Sequence, residues 1–288
     1  MSSEVGVSPR SYFPLILSIA LSWILTSLSL QTRIEYPPLV IAPAEEPSPA
    51  TPPSEALASP APYLNTLIIV GLITVSGIIV LYLARRRRRL FQAFIGLLIW
   101  LLSFGITLFN IISIGFAVSL WILRFWLPIS LAAASLVTYL MIRGRGLAGS
   151  AAASYIAAGA GSAIGMSIPY WTFIVLMIGI SAYDLVAVYK GHLSTLTKED
   201  AVTLKGLTVE AGDLVIGLGD LFFYSLAVSA ILRYLGAIPA ALASGSVIAG
   251  YTITLLALRK RRILPGLPIP LLLALGSAVL AKLAIDLL

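Results

Sequence analysis

Nine stretches of this chain are apolar for about as long as a lipid bilayer is thick. They fall at roughly 12–31, 63–84, 90–122, 126–142, 147–166, 168–189, 213–234, 236–258 and 266–287. A helix needs about 20 residues to cross the hydrocarbon layer. In lipid every backbone N–H and C=O must be paired internally, so spanning segments are helices or closed barrels, and runs of this length suit helices. The chain has 288 residues, of which 59% are hydrophobic and 11% charged, with a mean hydropathy of +1.00. That is too little polar surface to clothe a soluble domain. The expected fold is therefore an all-α polytopic membrane protein with nine transmembrane helices. The run at 90–122 is long for one helix and short for two.

Composition also excludes several chemistries. With no cysteine there is no disulfide, thiol nucleophile or thiolate metal site. The single histidine, His192, lies in a polar stretch and reads as a solvated loop residue. No metal or cofactor is expected. The net charge of +7 comes from basic residues clustered between apolar runs, as topology signals are, so the Arg85–Arg89 run reads as a membrane anchor and no nucleic-acid partner is expected.

The organisation follows from the runs. Residues 1–11 form an amino-terminal tail, and 12–189 a bundle of six spans. Residues 190–212 form an inner loop, and 213–288 a carboxyl-terminal three-helix part. Within the first bundle, 36–62 holds nine of the 17 prolines together with Glu45, Glu46 and Glu55. Nothing there can form a core, so it reads as an extended loop. The first span is long and its flank barely basic, which fits a retained helix better than a cleaved signal. Lys and Arg favour the inner side of a membrane. With the amino terminus inside, the inner loops carry fourteen of them and the outer segments four. The proline-rich loop and the carboxyl terminus then face outward.

Against this background two residues stand out. Asp184 lies in the sixth run and Asp220 in the seventh. A carboxyl at membrane depth costs roughly 2.5–3.5 kcal/mol on insertion scales and marks function by default. Asp184 precedes Lys190 by about six residues and Asp220 follows Asp213 by about seven, so each is expected about 10 Å from the inner interface at 1.5 Å per residue. Two facing carboxyls in a medium of low dielectric share one proton, the state that aspartic proteolysis requires. Gly217 and Gly219 weaken the seventh helix but open its backbone to a close approach. Gly161 and Gly165 are spaced for helix packing. Asp213 and Glu210 read as acids at a helix start, Lys282 and Asp286 as a surface pair four residues apart, and Lys190 as a snorkelling anchor.

At this point the texts Ser181-Ala182-Tyr183-Asp184-Leu185-Val186-Ala187-Val188, Gly217-Leu218-Gly219-Asp220-Leu221-Phe222-Phe223-Tyr224-Ser225 and Pro265-Gly266-Leu267-Pro268 resemble the three motifs of the presenilin family of intramembrane aspartyl proteases. The detailed resemblance covers about the last 120 residues. It implies a presenilin-like nine-helix fold in which Asp184 and Asp220 are the catalytic pair. It also implies that Gly217, Leu218 and Gly219 shape the substrate-facing backbone, and that Pro265, Gly266 and Leu267 border the active site. Tyr183 would pack or hydrogen-bond near the scissile bond. The prolines at 265, 268 and 270 independently argue for non-helical backbone there, although a helix start with proline in its first turn is also open. The family's alanine is Gly266 here. The inner loop is short beside the eukaryotic presenilins, so a single uncut chain is expected.

The implied activity is hydrolysis of peptide bonds within single-pass transmembrane substrates in the bilayer. The signal-peptide-peptidase group shares the two aspartate motifs with the opposite orientation, which the charge count disfavours. A prepilin-peptidase type enzyme also uses Gly-x-Gly-Asp but lacks the other two motifs. The alternative from another class is an ion- or proton-coupled transporter using the Asp pair. Transporters usually show internal repeats, and none is visible in this sequence.

Overall fold

The computed structural model describes residues 9–32, 42–144, 146–189, 208–211, 214–258 and 264–287. Among them, nine helical segments are long and apolar enough to cross a membrane: Pro9–Thr32, Ala61–Ala84, Arg89–Ala117, Leu120–Arg143, Leu147–Ser167, Tyr170–Tyr189, Leu218–Leu235, Ala237–Leu258 and Pro268–Asp286. The chain is a multi-pass integral membrane protein. The elements are α1 (Phe13–Thr32), α2 (Pro53–Ala56), α3 (Ala61–Arg86), α4 (Arg88–Ala117), α5 (Trp126–Arg143), α6 (Leu147–Ser167), α7 (Tyr170–Tyr189), β1 (Thr208–Ala211), β2 (Leu214–Gly217), α8 (Leu218–Leu235), α9 (Ala237–Leu258) and α10 (Pro268–Asp286).

One open point is settled and one expectation is corrected. The apolar run at 90–122 is one helix that ends at Ala117; a 3-10 segment, Leu120–Phe125, then leads into α5. Ser119 makes the break, its hydroxyl accepting the Trp121 N–H at 3.4 Å from extended backbone. The seventh span does not begin at 213. Residues 214–217 are strand, paired antiparallel with β1 in the register Thr208↔Gly217 and Val209↔Ile216, and the helix starts at Leu218. The β-branched pair Val215 and Ile216 suits a strand, and two glycines within three residues discourage an earlier helix. Glu210 is therefore in β1 rather than at a helix start, and the depth worked from Asp213 by helical rise does not apply. Asp213, Lys190, His192 and Arg259–Arg262 lie outside the described residues.

The chain forms two compact units. The first holds α1, the part of the chain from Tyr82 to Ala163, the β1–β2 ribbon and the start of α8. Within it α6 meets three neighbours at close range. The Ser154 hydroxyl donates to the Pro14 carbonyl of α1 at 2.9 Å, and the Thr107 hydroxyl of α4 pairs with that of Tyr155 at 2.8 Å. A Cβ at Gly161 would sit 2.6 Å from the Ser225 Cβ and 2.8 Å from the Leu226 nitrogen of α8. Lipid tails are as apolar as Leu, so such close contacts and hydrogen bonds drive association between membrane helices.

The second unit holds the segment before α3, most of α3, α7, the remainder of α8, and α9 and α10. Here the proline-rich segment is built in more than its composition announces. Asn65 clasps Ala44, donating to its carbonyl and accepting its N–H, both at 3.0 Å. The Glu46 carboxylate caps α7, accepting the N–H groups of Trp171 at 3.0 Å and Thr172 at 2.8 Å together with the Thr172 hydroxyl. A carboxylate at a helix N-terminus meets both the orphan donors and the positive end of the dipole. Gly236, at φ 94°, closes α8 in the left-handed region that glycine adopts freely, and its N–H reaches the Ile231 carbonyl at 3.2 Å. The Lys282–Asp286 pair forms at 2.7 Å.

Candidate active site

Each aspartate sits in a local setting built by its own unit. On α7 the buried positions Phe173, Met177 and Ile180 follow helical spacing, and Asp184 continues that stripe four residues on. The half-buried carboxyl therefore prolongs the protein-facing side of the helix, while Leu185 and Val186 are exposed. Tyr183 beside it is half-buried.

The partner of Asp184 comes from 83 residues away. The Leu267 N–H donates to its Oδ2 at 3.0 Å, and the Gly266 N–H adds a second backbone interaction. Residues 264–267 are non-helical, so these donors are not consumed by a helix. The prolines divide between the two readings of the sequence. Pro265 lies in the irregular segment, whereas Pro268 and Pro270 occupy the first turn of α10, where a missing N–H costs nothing. Pro265 and Leu267 are buried.

What holds this segment is the approach of α9 to α10. A Cβ at Gly250 would fall 2.6 Å from the Pro270 Cα and 2.8 Å from its nitrogen. Only a glycine lets the two backbones come this close. The contact, at Pro270, fixes the first turn of α10 three residues beyond the Leu267 donor. Gly250 carried no signal of its own in the sequence.

Asp220 stands in the first turn of α8, where a carboxylate is favoured by the helix dipole. A Cβ at Gly217 would lie 3.4 Å from the Asp220 Oδ2, so the absence of a side chain there leaves the face of the carboxyl open. At Gly219 an added Cβ would meet nothing within 4 Å, and the residue is exposed. Leu218 between them is half-buried. The ribbon has two strands, so among the described residues β2 pairs with β1 alone as it runs into this turn.

The structure thus gathers Asp184, Gly266 and Leu267 in one unit, and Gly217 with Asp220 in the other. Chemically, the first place offers a carboxylate oriented by backbone donors. The second offers a carboxyl beside accessible main chain.

No family model matches the chain, and no curated protein matches it by sequence. Among solved structures, two of a presenilin family intramembrane aspartate protease are similar. One is 21% identical with a TM-score of 0.64, covering 98% of this chain and 100% of its own. The other is 22% identical with a TM-score of 0.64, covering 99% of each. The resemblance read from three short motifs holds at the level of fold. Over nearly its whole length the chain has the fold of the presenilin family intramembrane aspartate proteases.

Proposed function

We propose that the chain is an intramembrane aspartic endopeptidase, with Asp184 and Asp220 acting together on one peptide bond of a transmembrane substrate. The observation that carries this reading is the Asp184 site. A carboxyl within a membrane span is held by backbone N–H groups of the Pro265-Gly266-Leu267 segment, an arrangement with no purpose in helix packing alone. Similarity to structures of intramembrane aspartate proteases supports it.

In this mechanism the ionised aspartate takes a proton from a water molecule, whose oxygen attacks the scissile carbonyl carbon. The protonated aspartate gives its proton to the carbonyl oxygen, and a tetrahedral diol forms. Collapse of the diol breaks the C–N bond, with a proton passing to the leaving nitrogen. Atoms balance with water as the only co-reactant. The backbone donors at Leu267 and Gly266 orient Asp184, and Tyr183 packs at the edge of the same site.

A helical substrate must unwind to expose a peptide bond. The outer edge of β2, together with the open main chain at Gly217 and Gly219, can take an extended segment by strand addition and deliver it to Asp220. In this reading the substrates are single-pass membrane proteins, the amino terminus is cytoplasmic and the carboxyl terminus lies outside. The chain works uncut and without a cofactor.

The test is reconstitution of the purified chain with a single-span substrate in heavy-oxygen water. Fragments ending within the apolar stretch, with one heavy oxygen in each new carboxylate, are expected. An intact substrate, alongside aspartate-dependent ion flux in the same vesicles, would establish the transporter reading instead.

A further inference from the structure

Five consecutive arginines, Arg85–Arg89, join α3 to α4, and the proteolytic reading makes no use of them beyond topology. We infer that Arg86, Arg87 and Arg89 of this run, with the α4 face next to them, form a binding site for one anionic phospholipid, the three arginines taking the phosphate and the helix face the acyl chains. The inference is independent of the proposed activity.

Charge comes first. The junction is tight: α3 ends at Arg86, α4 begins at Arg88, and Arg87 between them leaves the helix at φ −142° and ψ 62°. Cα atoms 3.8 Å apart along the chain keep the charges within about a Debye length of one another, so they repel. Arg86, Arg87 and Arg89 are exposed. The Arg86 guanidinium donates to the Tyr82 hydroxyl at 2.9 Å and lies over that ring at 5.7 Å, which steadies it without neutralising it. Among the described residues no carboxylate pairs with any of the three. The sequence supplies none nearby, since no Asp or Glu occurs between Glu55 and Asp184. The first turn of α4 is basic and holds no acid, the unfavourable sense against the helix dipole. An anion from outside the chain relieves both terms.

The neighbouring surface says which anion. Leu90, Phe94, Leu97 and Leu101 are 55%, 41%, 55% and 50% exposed, at the three- and four-residue spacing that puts them on one face of α4. Arg87, the residue just before α4, precedes Leu90 by three positions. A guanidinium cluster therefore heads an apolar stripe from Leu90 to Leu101, eleven helical rises or roughly 16 Å at 1.5 Å per residue, which is comparable to the depth of one bilayer leaflet. A free phosphate would use the head of this site and leave the stripe bare. An amphiphile with an anionic head uses both.

Each basic residue near an anionic headgroup layer is worth about 1 kcal/mol, or about fivefold in affinity. Titration of the full chain in detergent micelles with labelled phosphatidylglycerol and phosphatidylcholine tests the site. Preference for phosphatidylglycerol is expected. Combined Arg86→Gln, Arg87→Gln and Arg89→Gln substitution should weaken it roughly a hundredfold, and Arg124→Gln, an exposed arginine in the 3-10 segment beyond the far end of α4, should leave it unchanged. If the triple variant fails to fold, Arg87→Gln alone should show about a fivefold loss. Soluble glycerol phosphate should not displace the lipid. Equal binding of the two lipids, a triple variant with full affinity, or displacement by the soluble headgroup would each overturn the inference.

Discussion

The hydrogen bond from Leu267 to Asp184 can be removed without touching either carboxyl. Proline at position 267 deletes the N–H, and the native φ of −80° lies within the range a proline ring imposes. The Leu267 carbonyl, which accepts the Leu271 N–H at 3.0 Å, is kept. A hydrogen bond to a charged group contributes about 1.5–3 kcal/mol. If that bond orients Asp184 for reaction, its loss lowers kcat by roughly ten- to 150-fold at about 1.4 kcal/mol per decade. Leu267 is also 6% exposed, so replacing it removes packing as well. Leu267→Ala is therefore the reference, because it loses the side chain but keeps the donor. The assay is the initial rate of cleavage of a transmembrane peptide, well below the melting temperature of both variants. The proline variant should be at least ten times slower than the alanine variant, with little change in KM. Equal rates would refute the claim that this donor orients Asp184.

Other outcomes follow from the packing. Gly161→Ala puts a Cβ 2.8 Å from the Leu226 nitrogen, whereas Gly105→Ala, also within a helix, meets nothing within 4 Å. Thermal unfolding should show the former destabilised by about 1–3 kcal/mol and the latter unchanged or slightly stabilised. Glu46→Ala leaves two α7 N–H groups without their carboxylate and should cost about 0.5–2 kcal/mol by the same measurement; an unchanged melting curve would show that water replaces the cap fully. Gly217→Ala brings a methyl to 3.4 Å from the Asp220 carboxylate, an ordinary contact. Gly217→Val adds branches on that face, so cleavage assays should find alanine tolerated and valine at least tenfold slower.

What the sequence made legible was the part of the fold that lipid dictates. Span positions follow from hydropathy, because a bilayer sets one length for every helix and forbids unpaired backbone between the ends. The start of α8 was misplaced because Leu214–Gly217 is as apolar as the helix after it, and hydropathy does not separate strand from helix over four residues. Gly217 and Gly219 were the available signal, and they were read as access within a helix rather than as its boundary. Glu46 was legible only as a loop acid, since its partners lie 125 and 126 residues away. Gly250 is one small residue among many in α9, and only the packed structure shows which of them meets Pro270. The aspartates were legible because a carboxyl in an apolar run has so few bland explanations. The Leu267 donor is a backbone atom, and it came into view through the motif around it.

The central claim is that Asp184 and Asp220 act on the same bond. The most direct measurement compares cleavage of one transmembrane substrate by the native chain, Asp184→Asn and Asp220→Asn, after checking that all three melt alike. The account requires each single substitution to abolish cleavage, because neither carboxyl alone can both activate the water and protonate the carbonyl. Cleavage surviving either change at a substantial fraction of the native rate would contradict it.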